Sequence, residues 1–564
     1  MHSSSRRDFV IRLAAVAAVA GAGSVLTACG GSDGEPPRFD YGVASGDPLA
    51  DRVILWTHAQ FADFSDDVPL IWEVAADATF ASLVATGSVK ATAATGYTAK
   101  VDAVGLSVGK DYFFRFRYNN HSSPVGRTRT LPDAGASSLS MAVMSCSNYP
   151  AGYFHAYAEI PKTDAKYAVH LGDFIYEYAA DGYATADATA LGRVPQPANE
   201  CLTLTDYRKR YAQYRSDPDS KTFHATMPVI AVWDDHEVAN DSYKDGAENH
   251  TEGAEGKFTD RRAAALKAWH EWLPVRTSDL TDLRKIYRSF DFGGLAALHM
   301  LETRLIGRDK PVEFADLLNP ATASTAMATL ASPTRSLMGA AQLGWLQGQL
   351  VASTATWQVL GQQVLMARMS FPVSVLSALN PGNTSPEALA AGQKAITDYL
   401  TAKGTAAQAP TLLTDTQKAL LDTTLNPLLG YNLDAWDGYP VEREVLLSTA
   451  KQLGKKLVVL AGDTHNAWSS QLTLMDGAVV GQEFAAQSIS SPGLEEYLAA
   501  LPPAQTQAIF LGVVNDLKYA DTARRGFLHM HFTPTQAKGT WYFVSTVKSR
   551  TYTVDASATL AFNG

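Results

Sequence analysis

The sequence predicts a layered α/β fold preceded by a smaller all-β segment. From about residue 137, short apolar runs of strand type alternate with loops and helical stretches, which is typical of layered α/β domains. Before residue 133, the strands are separated by turn residues alone, as in a small β-sandwich of immunoglobulin or fibronectin type. The chain has 564 residues, of which 46% are hydrophobic, so it is long enough for two sizeable cores.

Residues 1–29 are predicted to be an export signal. The pair Arg6 and Arg7 precedes an Ala/Val-rich apolar run over residues 11–26, which fits a twin-arginine signal. An uncleaved membrane anchor is the alternative, but the run is Ala/Gly-rich and marginal in length for a span. Cys29 ends a sequence, LTAC, that is similar to a bacterial lipobox. We therefore predict a periplasmic or cell-surface protein anchored by lipid on Cys29, with ordinary cleavage beside a small residue as the alternative.

The remaining chain divides into three predicted parts. Residues 30–37 form a polar tether, and residues 38–133 form the β-sandwich, in which no catalytic constellation is apparent. Residues 137–548 form the α/β domain, interrupted by a Ser/Ala/Gly-rich insertion at 370–410 that contains one helix, 386–403. Insertions of this size are often lids.

Four short motifs in the α/β domain each follow an apolar strand-type run. Open α/β sheets build their sites at the carboxyl ends of strands. Four such ends that carry carboxylates, histidines, a thiol and a phenol indicate one polynuclear metal centre, and hence a hydrolase. The motifs are Ser145-Cys146-Ser147, Gly172-Asp173-Phe174-Ile175-Tyr176, Trp233-Asp234-Asp235-His236-Glu237 with Asn240, and Gly462-Asp463-Thr464-His465.

The residue types suggest which ions bind. Asp173 and Tyr176 share a face if a helix begins there, and a phenolate ligand indicates ferric iron. The adjacent carboxylates Asp234 and Asp235 would repel one another without a cation, and the amide oxygen of Asn240 suits calcium or magnesium.

Histidines and a cysteine complete the predicted site. On extended backbone, Asp463 and His465 would point the same way, so they can bind neighbouring metals. His236 can act as a ligand or as a general acid. Cys146 is interpreted as a metal thiolate and Cys201 as incidental, with a Cys146–Cys201 disulfide as the alternative.

The net charge of −10, without a long basic cluster, excludes a nucleic-acid-binding surface. Any phosphate that the protein handles must therefore be held by locally placed cations.

These motifs resemble those of PhoD-type alkaline phosphatases in the calcineurin-like metallophosphatase superfamily. The resemblance extends from about residue 39 to residue 544, and includes YGVASGDP at 41–48 and WDGY at 436–439. It implies one ferric iron, one or two calcium ions, and attack of a metal-activated water on a phosphate monoester. The implied roles are Cys146, Tyr176 and His465 on iron, Asp173 as a bridge, Asp235, Asn240 and Asp463 on calcium, Asp234 as a ligand or a neighbour of the ligands, and His236 as the acid.

Two departures from the family pattern occur. The usual Leu-Asp-Thr-Arg is here Leu301-Glu302-Thr303-Arg304, which leaves Arg304 as a candidate phosphate contact, and the usual Leu-Trp-Thr-Arg ends in His58. Phosphodiesters, including phospholipid or teichoic-acid-type substrates, are the alternative substrate class. A non-catalytic calcium-binding surface lipoprotein is a further alternative, and a monomer is favoured.

Overall fold

The computed structural model describes residues 35–63, 66–379 and 385–564, which form two large mixed β-sheets with helices packed around them. The predicted export signal, the lipidation site Cys29 and most of the tether lie outside the described residues. Among the described helices, none is both long and apolar enough to cross a membrane.

Between residues 43 and 129 the described elements are mainly strands. They are β1 (Val43–Gly46), β2 (Arg52–His58), β3 (Val68–Ala75), β4 (Leu83–Ala91), β5 (Thr98–Val104), β6 (Asp111–Tyr118), β7 (His121–Ser122) and β8 (Gly126–Arg129). The later strands are β9 (Leu139–Met144), β10 (Tyr167–His170), β11 (Val229–Ala231), β12 (Arg288–Phe292), β13 (Ala296–Met300), β14 (Trp357–Gly361), β15 (Ser370–Pro372), β16 (Leu428–Gly430), β17 (Lys456–Ala461), β18 (Ala467–Thr473), β19 (Val479–Ala485), β20 (Leu517–Asp521), β21 (Arg525–Phe532), β22 (Ala537–Val544) and β23 (Val554–Phe562).

Within the described residues, the α-helices occur from residue 155 onwards. They are α1 (His155–Glu159), α2 (Ala188–Leu191), α3 (Leu204–Ser216), α4 (Pro218–His224), α5 (Phe258–Trp272), α6 (Phe314–Leu318), α7 (Ala323–Leu330), α8 (Ala340–Ala352), α9 (Val373–Ala378), α10 (Pro386–Gln408), α11 (Asp415–Leu421), α12 (Pro440–Gln452), α13 (Leu494–Tyr497) and α14 (Pro503–Val513).

The two large sheets share a hydrophobic core. The first has the order β23-β22-β21-β9-β10-β11-β1-β2-β5, and the second has the order β12-β13-β14-β17-β19-β18-β20. Val143 and Val169 of the first sheet belong to the same buried cluster as Leu298 and Val458 of the second. Another cluster joins the second sheet to helices α8, α12 and α14. The predicted α/β class is confirmed.

The predicted boundary near residue 133 divides a sheet that is continuous in the structure. Strands β1, β2 and β5 extend the first large sheet, where β1 pairs with β11 through Gly46 and Val229. A Cβ at Gly46 would lie only 2.4 Å from the Val229 carbonyl oxygen, so a glycine permits this close pairing. Strands β3, β4, β6, β7 and β8 form a separate sheet that packs on β1, β2 and β5 through a small core.

The carboxyl end of the chain also extends past the predicted domain limit. Strand β23 begins at Val554, beyond the predicted end at residue 548, and pairs antiparallel with β22 at the edge of the first sheet. Its side chains are mostly exposed or half-buried, so the strand lacks the apolar run that marks the other strands.

The insertion at residues 370–410 contains β15, α9 and α10, whose range includes the predicted helix 386–403. Ser385 caps α10, because its hydroxyl oxygen accepts a hydrogen bond from the backbone N–H of Ala388 at 3.1 Å. The role of this insertion as a lid stays a prediction.

His58 predicts a measurable pH dependence of stability. Its ring stacks on Trp272 at 5.4 Å and meets Tyr41 edge-on at 4.7 Å, and burial lowers the pKa of His58 to about 4. In the unfolded chain its pKa is about 6.5. Because the unfolded state takes up the proton first, the contribution of His58 to stability is complete above pH 6.5 and declines towards pH 4.

We therefore expect the difference in unfolding free energy between wild type and His58→Asn to shrink as the pH falls from 7 to 4. The slope should reach about 1.4 kcal/mol per pH unit. Denaturant titrations of both proteins in chelator, at several pH values, measure this difference, and other titrating groups cancel. A difference that is independent of pH would contradict the account. His121→Gln, at an exposed position, is the control and keeps the wild-type dependence.

Candidate metal centre

The four predicted motifs meet at one place because their strands end side by side. Strands β9, β10 and β11 are parallel neighbours in the first sheet, and β17 belongs to the parallel part of the second. Loops at their carboxyl ends carry the candidate ligands. Those buried or half-buried there are Cys146, Asp173, Tyr176, Asp234, Asp235, His236, Asn240, Asp463 and His465.

Cys146, Asp173 and His465 form the first ligand cluster, with their ligand atoms all within 4.8 Å of one another. Tyr176 belongs beside it, since its hydroxyl lies 3.1 Å from Asp173 Oδ2 and 3.0 Å from His465 Nε2. Cys146 and Cys201 are free and buried, so no disulfide joins them. A thiol, a phenol, an imidazole and a carboxylate thus converge on one point.

Two further clusters continue from the first, each sharing one residue with the cluster before it. Asp173, Asp235 and His236 form one, and Asp234, Asp235 and Asp463 form the other. Asp173 and Asp235 are each shared between two clusters, so the three form a continuous chain of donors. Such sharing is the arrangement that a centre of two or more neighbouring ions requires.

Without a cation, these groups resist ionisation. Burial raises the pKa of the Cys146 thiol and of the Tyr176 phenol, and the negative charge of Asp173 adds to both effects. Burial also raises the pKa of Asp173 and of Asp463 well above the usual value, and that of Asp234 to about 6. Nearby carboxylates add to each of these shifts. A bound cation would remove this cost, because it stabilises the charged forms.

Two details of the donor set fit a metal. Oδ2 of Asp234 is buried and has no hydrogen-bond partner among the described residues, so one oxygen is free to take a cation. Burial lowers the pKa of His465 to about 3, which keeps its ring neutral. The Nδ1 of His465 lies 2.7 Å from the Pro492 carbonyl oxygen, which leaves Nε2 on the side of the cluster.

The backbone at these ligands is unusual. Cys146, Asp173, Asp463 and His465 all have left-handed φ values, of 61°, 54°, 64° and 60°. Such angles are uncommon for residues other than glycine and cluster at functional sites. No helix begins directly after Asp173, so the condition for a shared helical face with Tyr176 is not met, and the expectation of extended backbone at Asp463 and His465 is wrong. Turns, not regular elements, aim these side chains at the centre.

Two glutamates that were not predicted as site residues support the ligands. The Glu177 carboxylate lies 2.7 Å from His236 Nδ1 and also accepts the Asn240 backbone N–H. The Glu237 carboxylate accepts backbone N–H groups of Asp173 and Asp234 at 3.0 and 2.7 Å. It thereby ties the loop after β10 to the loop after β11. Glu237 stands inside a quoted motif and Glu177 directly follows one, so their adjacency to candidate ligands was the available signal.

Arg304 lies fully buried among carboxylates rather than in a substrate cavity. Its guanidinium group donates to Asp234, to Asp434 at 2.6 Å and to Asp463 at 3.2 Å. The candidate phosphate contact is therefore corrected: Arg304 balances the negative charge of these carboxylates and holds them in position.

The turn that carries Arg304 is organised by Glu302, where the resembling family has aspartate. The carboxylate of Glu302 accepts the Trp233 indole N–H at 2.9 Å and the backbone N–H of Arg304 at 3.0 Å. The Glu302 side chain thus connects the segment after β11 to the turn that carries Arg304.

A cavity of about 260 Å³ opens directly over the clusters. Asp173, Asp235, His236, Asn240, Asp463 and His465 line it, together with Tyr178, Tyr183, Tyr431 and Tyr497. Asn240 donates its side-chain amide to Glu248 at 3.1 Å. Asp241, which the sequence analysis did not single out, also lines the cavity, and burial raises its pKa to about 8.

Comparison with known proteins places the chain in a family. The model for PhoD-like phosphatase matches residues 141–541, and the model for the PhoD-like phosphatase N-terminal domain matches residues 25–132. The chain belongs to the PhoD-like phosphatase family. It is 34% identical over 470 residues to alkaline phosphatase D of Bacillus subtilis (strain 168), covering 81% of this chain and 70% of that protein. It also resembles a solved structure of PhoD, with a TM-score of 0.75 and 30% identity over 95% of this chain and 92% of the other.

Family membership establishes the enzyme class. The protein is a metal-dependent phosphoric ester hydrolase, and phosphate esters are its substrates. This confirms the resemblance inferred from the motifs. The alternative of a non-catalytic calcium-binding lipoprotein loses its support.

Gly172 provides a test of how closely the loops pack. Its φ is +110°, and a Cβ there would lie 2.3 Å from the Cβ of Asp234. We expect Gly172→Ala to displace Asp234 and to lower kcat/KM by roughly 100-fold or more, because small misplacements of catalytic groups are costly.

Gly192 is a matched control for Gly172. It also has a left-handed φ, +67°, but nothing lies within 4 Å of its added Cβ. Gly192→Ala should cost roughly 1 kcal/mol of stability through backbone strain and retain activity. Equal activities of the two variants would contradict close packing at Asp234.

Proposed function

We propose that the protein hydrolyses phosphate monoesters at a centre of one ferric iron and one or two calcium ions. The observation that carries this proposal is the chain of three overlapping clusters that share Asp173 and Asp235. Its donors change in character along the chain. The thiol, phenol and imidazole lie at one end, and carboxylates dominate the other.

The chemistry of the donors supports the choice of ions. Thiolate, phenolate and imidazole from Cys146, Tyr176 and His465 suit ferric iron, whereas the oxygens of Asp235, Asn240 and Asp463 suit calcium. Asp173 would bridge the two kinds of ion. When bound, the ions would polarise the phosphoryl oxygens and lower the pKa of a water molecule. Ser491 supports Tyr176 as a ligand, because its hydroxyl donates to the Tyr176 oxygen at 2.6 Å.

His236 is the proposed general acid for the leaving alcohol. Burial opposes its charged form, but the carboxylates of Asp235 and Glu177 outweigh that effect and raise the pKa of His236 well above its usual value. These carboxylates therefore favour the protonated ring. Glu177 holds Nδ1 at 2.7 Å, so Nε2 is left for the substrate in the cavity.

Phosphodiesters are the second candidate substrates. The cavity over the clusters has an exposed rim at Tyr497, which is 51% exposed, so a second ester group can extend into solvent. The proposal for monoesters is tested by comparing kcat/KM for 4-nitrophenyl phosphate and bis(4-nitrophenyl) phosphate, with iron and calcium supplied. A higher value for the monoester supports the proposal. A higher value for the diester would replace it with a phosphodiesterase.

Export by the twin-arginine route and lipidation of Cys29 remain proposals that rest on the sequence. Mass spectrometry of the mature amino terminus tests them. A diacylated or triacylated Cys29 supports both membrane attachment and the lipobox interpretation. An unmodified terminus at another residue would contradict lipidation.

A further inference from the structure

An apolar cavity adjoins the cavity over the ligand clusters. It has a volume of about 380 Å³ and shares Tyr431, Leu494 and Tyr497 with the metal-site cavity. Its other walls include Leu376, Leu498 and Phe510. None of the described residues that line it carries a charge. A strongly acidic site and an uncharged apolar pocket are therefore direct neighbours.

Packed aromatic rings support the wall of the apolar cavity that Phe510 and Tyr431 line. Phe510 meets Phe371 at 4.9 Å, Tyr431 at 5.6 Å and Trp468 at 5.3 Å, measured between ring centroids. Phe371, Phe510 and Trp468 are buried, so this wall is fixed before any ligand enters. The pocket is preformed rather than created by binding.

Part of the rim of the apolar cavity is accessible from solvent. Leu318 is 49% exposed and Tyr497 is 51% exposed at the rim. Leu318 belongs to α6 and Leu376 to α9, so α9, in the predicted lid insertion, contributes to the wall. Apolar surface that stays open beside a polar site is characteristic of a ligand-binding groove.

We propose that this cavity binds the apolar alcohol group of the phosphate ester whose phosphoryl group lies over the ligand clusters. This proposal rests on the proposed function, because it requires the phosphoryl group in the metal-site cavity. Continuity through Tyr431, Leu494 and Tyr497 supports it, since one molecule can occupy both cavities. The preferred substrates are then phosphate esters of alkyl or aryl alcohols rather than of sugars or other polar alcohols.

The test uses ethyl, butyl and hexyl phosphates, whose alcohols have nearly the same leaving-group chemistry. With the metal-loaded full chain, we expect kcat/KM to rise roughly two- to fourfold per added methylene. Calorimetric binding of the matching alkylphosphonates, which are not hydrolysed, should show the same gain in affinity. Leu376→Asn and Leu498→Asn should each reduce the hexyl-to-ethyl ratio in both measurements.

Leu412→Asn is the control, because Leu412 is 73% exposed and does not line the cavity. It should retain the wild-type ratio. If the esters are hydrolysed but kcat/KM does not change with chain length, the apolar subsite is overturned. The same follows if the two cavity variants leave the hexyl-to-ethyl ratio unchanged. Chain-length-dependent binding of the phosphonates without release of phosphate from any ester would instead overturn the proposed function and retain the subsite.

Discussion

Asp173→Asn is expected to abolish binding of the metal centre and to lower kcat/KM by roughly a thousandfold or more. Asp173 is the residue that links the thiol-containing cluster to the carboxylate clusters. Asparagine has nearly the same shape but supplies no negative charge. Metal content after desalting and kcat/KM for 4-nitrophenyl phosphate measure the effect.

For the metal-free protein, we expect Asp173→Asn to cause no loss of stability. Burial raises the pKa of Asp173 well above its usual value, so an ionised carboxylate there destabilises the fold without metal. Asp173→Asn removes that cost, and its apoprotein should be at least as stable as the wild-type apoprotein in denaturant titrations. Asp415→Asn is the control, because the side chain of Asp415 is 98% exposed. A loss of activity that arises from unfolding of the variant apoprotein would contradict the ligand role.

His236→Gln is expected to lower kcat by roughly 100- to 10,000-fold for alkyl phosphates, the range attributed to general acid catalysis. The loss should be much smaller for 4-nitrophenyl phosphate, because a stable leaving group needs no proton. Steady-state kinetics on both substrates distinguish an acid from a ligand. Equal losses on both substrates would assign His236 to metal binding instead.

Glu177→Gln should reproduce part of the His236 effect. The glutamate contacts His236 Nδ1 at 2.7 Å and favours the charged imidazole, so its neutral replacement lowers the pKa of His236. Glu177 is thus a positioning residue, and the pH profile of kcat tests this role. We expect the alkaline limb of kcat to move to lower pH in this variant, whereas His121→Gln leaves the profile unchanged. An unmoved limb with lower kcat would indicate a structural role for Glu177.

The strands that carry the site were predictable because they are short, apolar and buried on both faces. The apolar runs that precede the four motifs correspond to β9, β10, β11 and β17. Placement of the candidate ligands at strand ends follows from the same pattern. Parallel neighbours bring those ends together, and this geometry needed no knowledge of the loops.

Tertiary geometry that leaves no local pattern was not predictable. The left-handed turns at Cys146 and His465 depend on loop packing, and the residue type at neither position predicts a positive φ. Arg304 was a candidate phosphate contact because it stands in the sequence that resembles the Leu-Asp-Thr-Arg of the family. Its burial against Asp234 and Asp434 depends on contacts across 70 and 130 residues of sequence.

The most direct test of the metal centre is metal analysis of the purified mature protein together with its visible spectrum. We expect about one iron with one or two calcium ions per chain, and a broad charge-transfer band from the Tyr176 phenolate that disappears in Tyr176→Phe. Zinc or manganese alone, without such a band and with full activity in Tyr176→Phe, would contradict the ferric site.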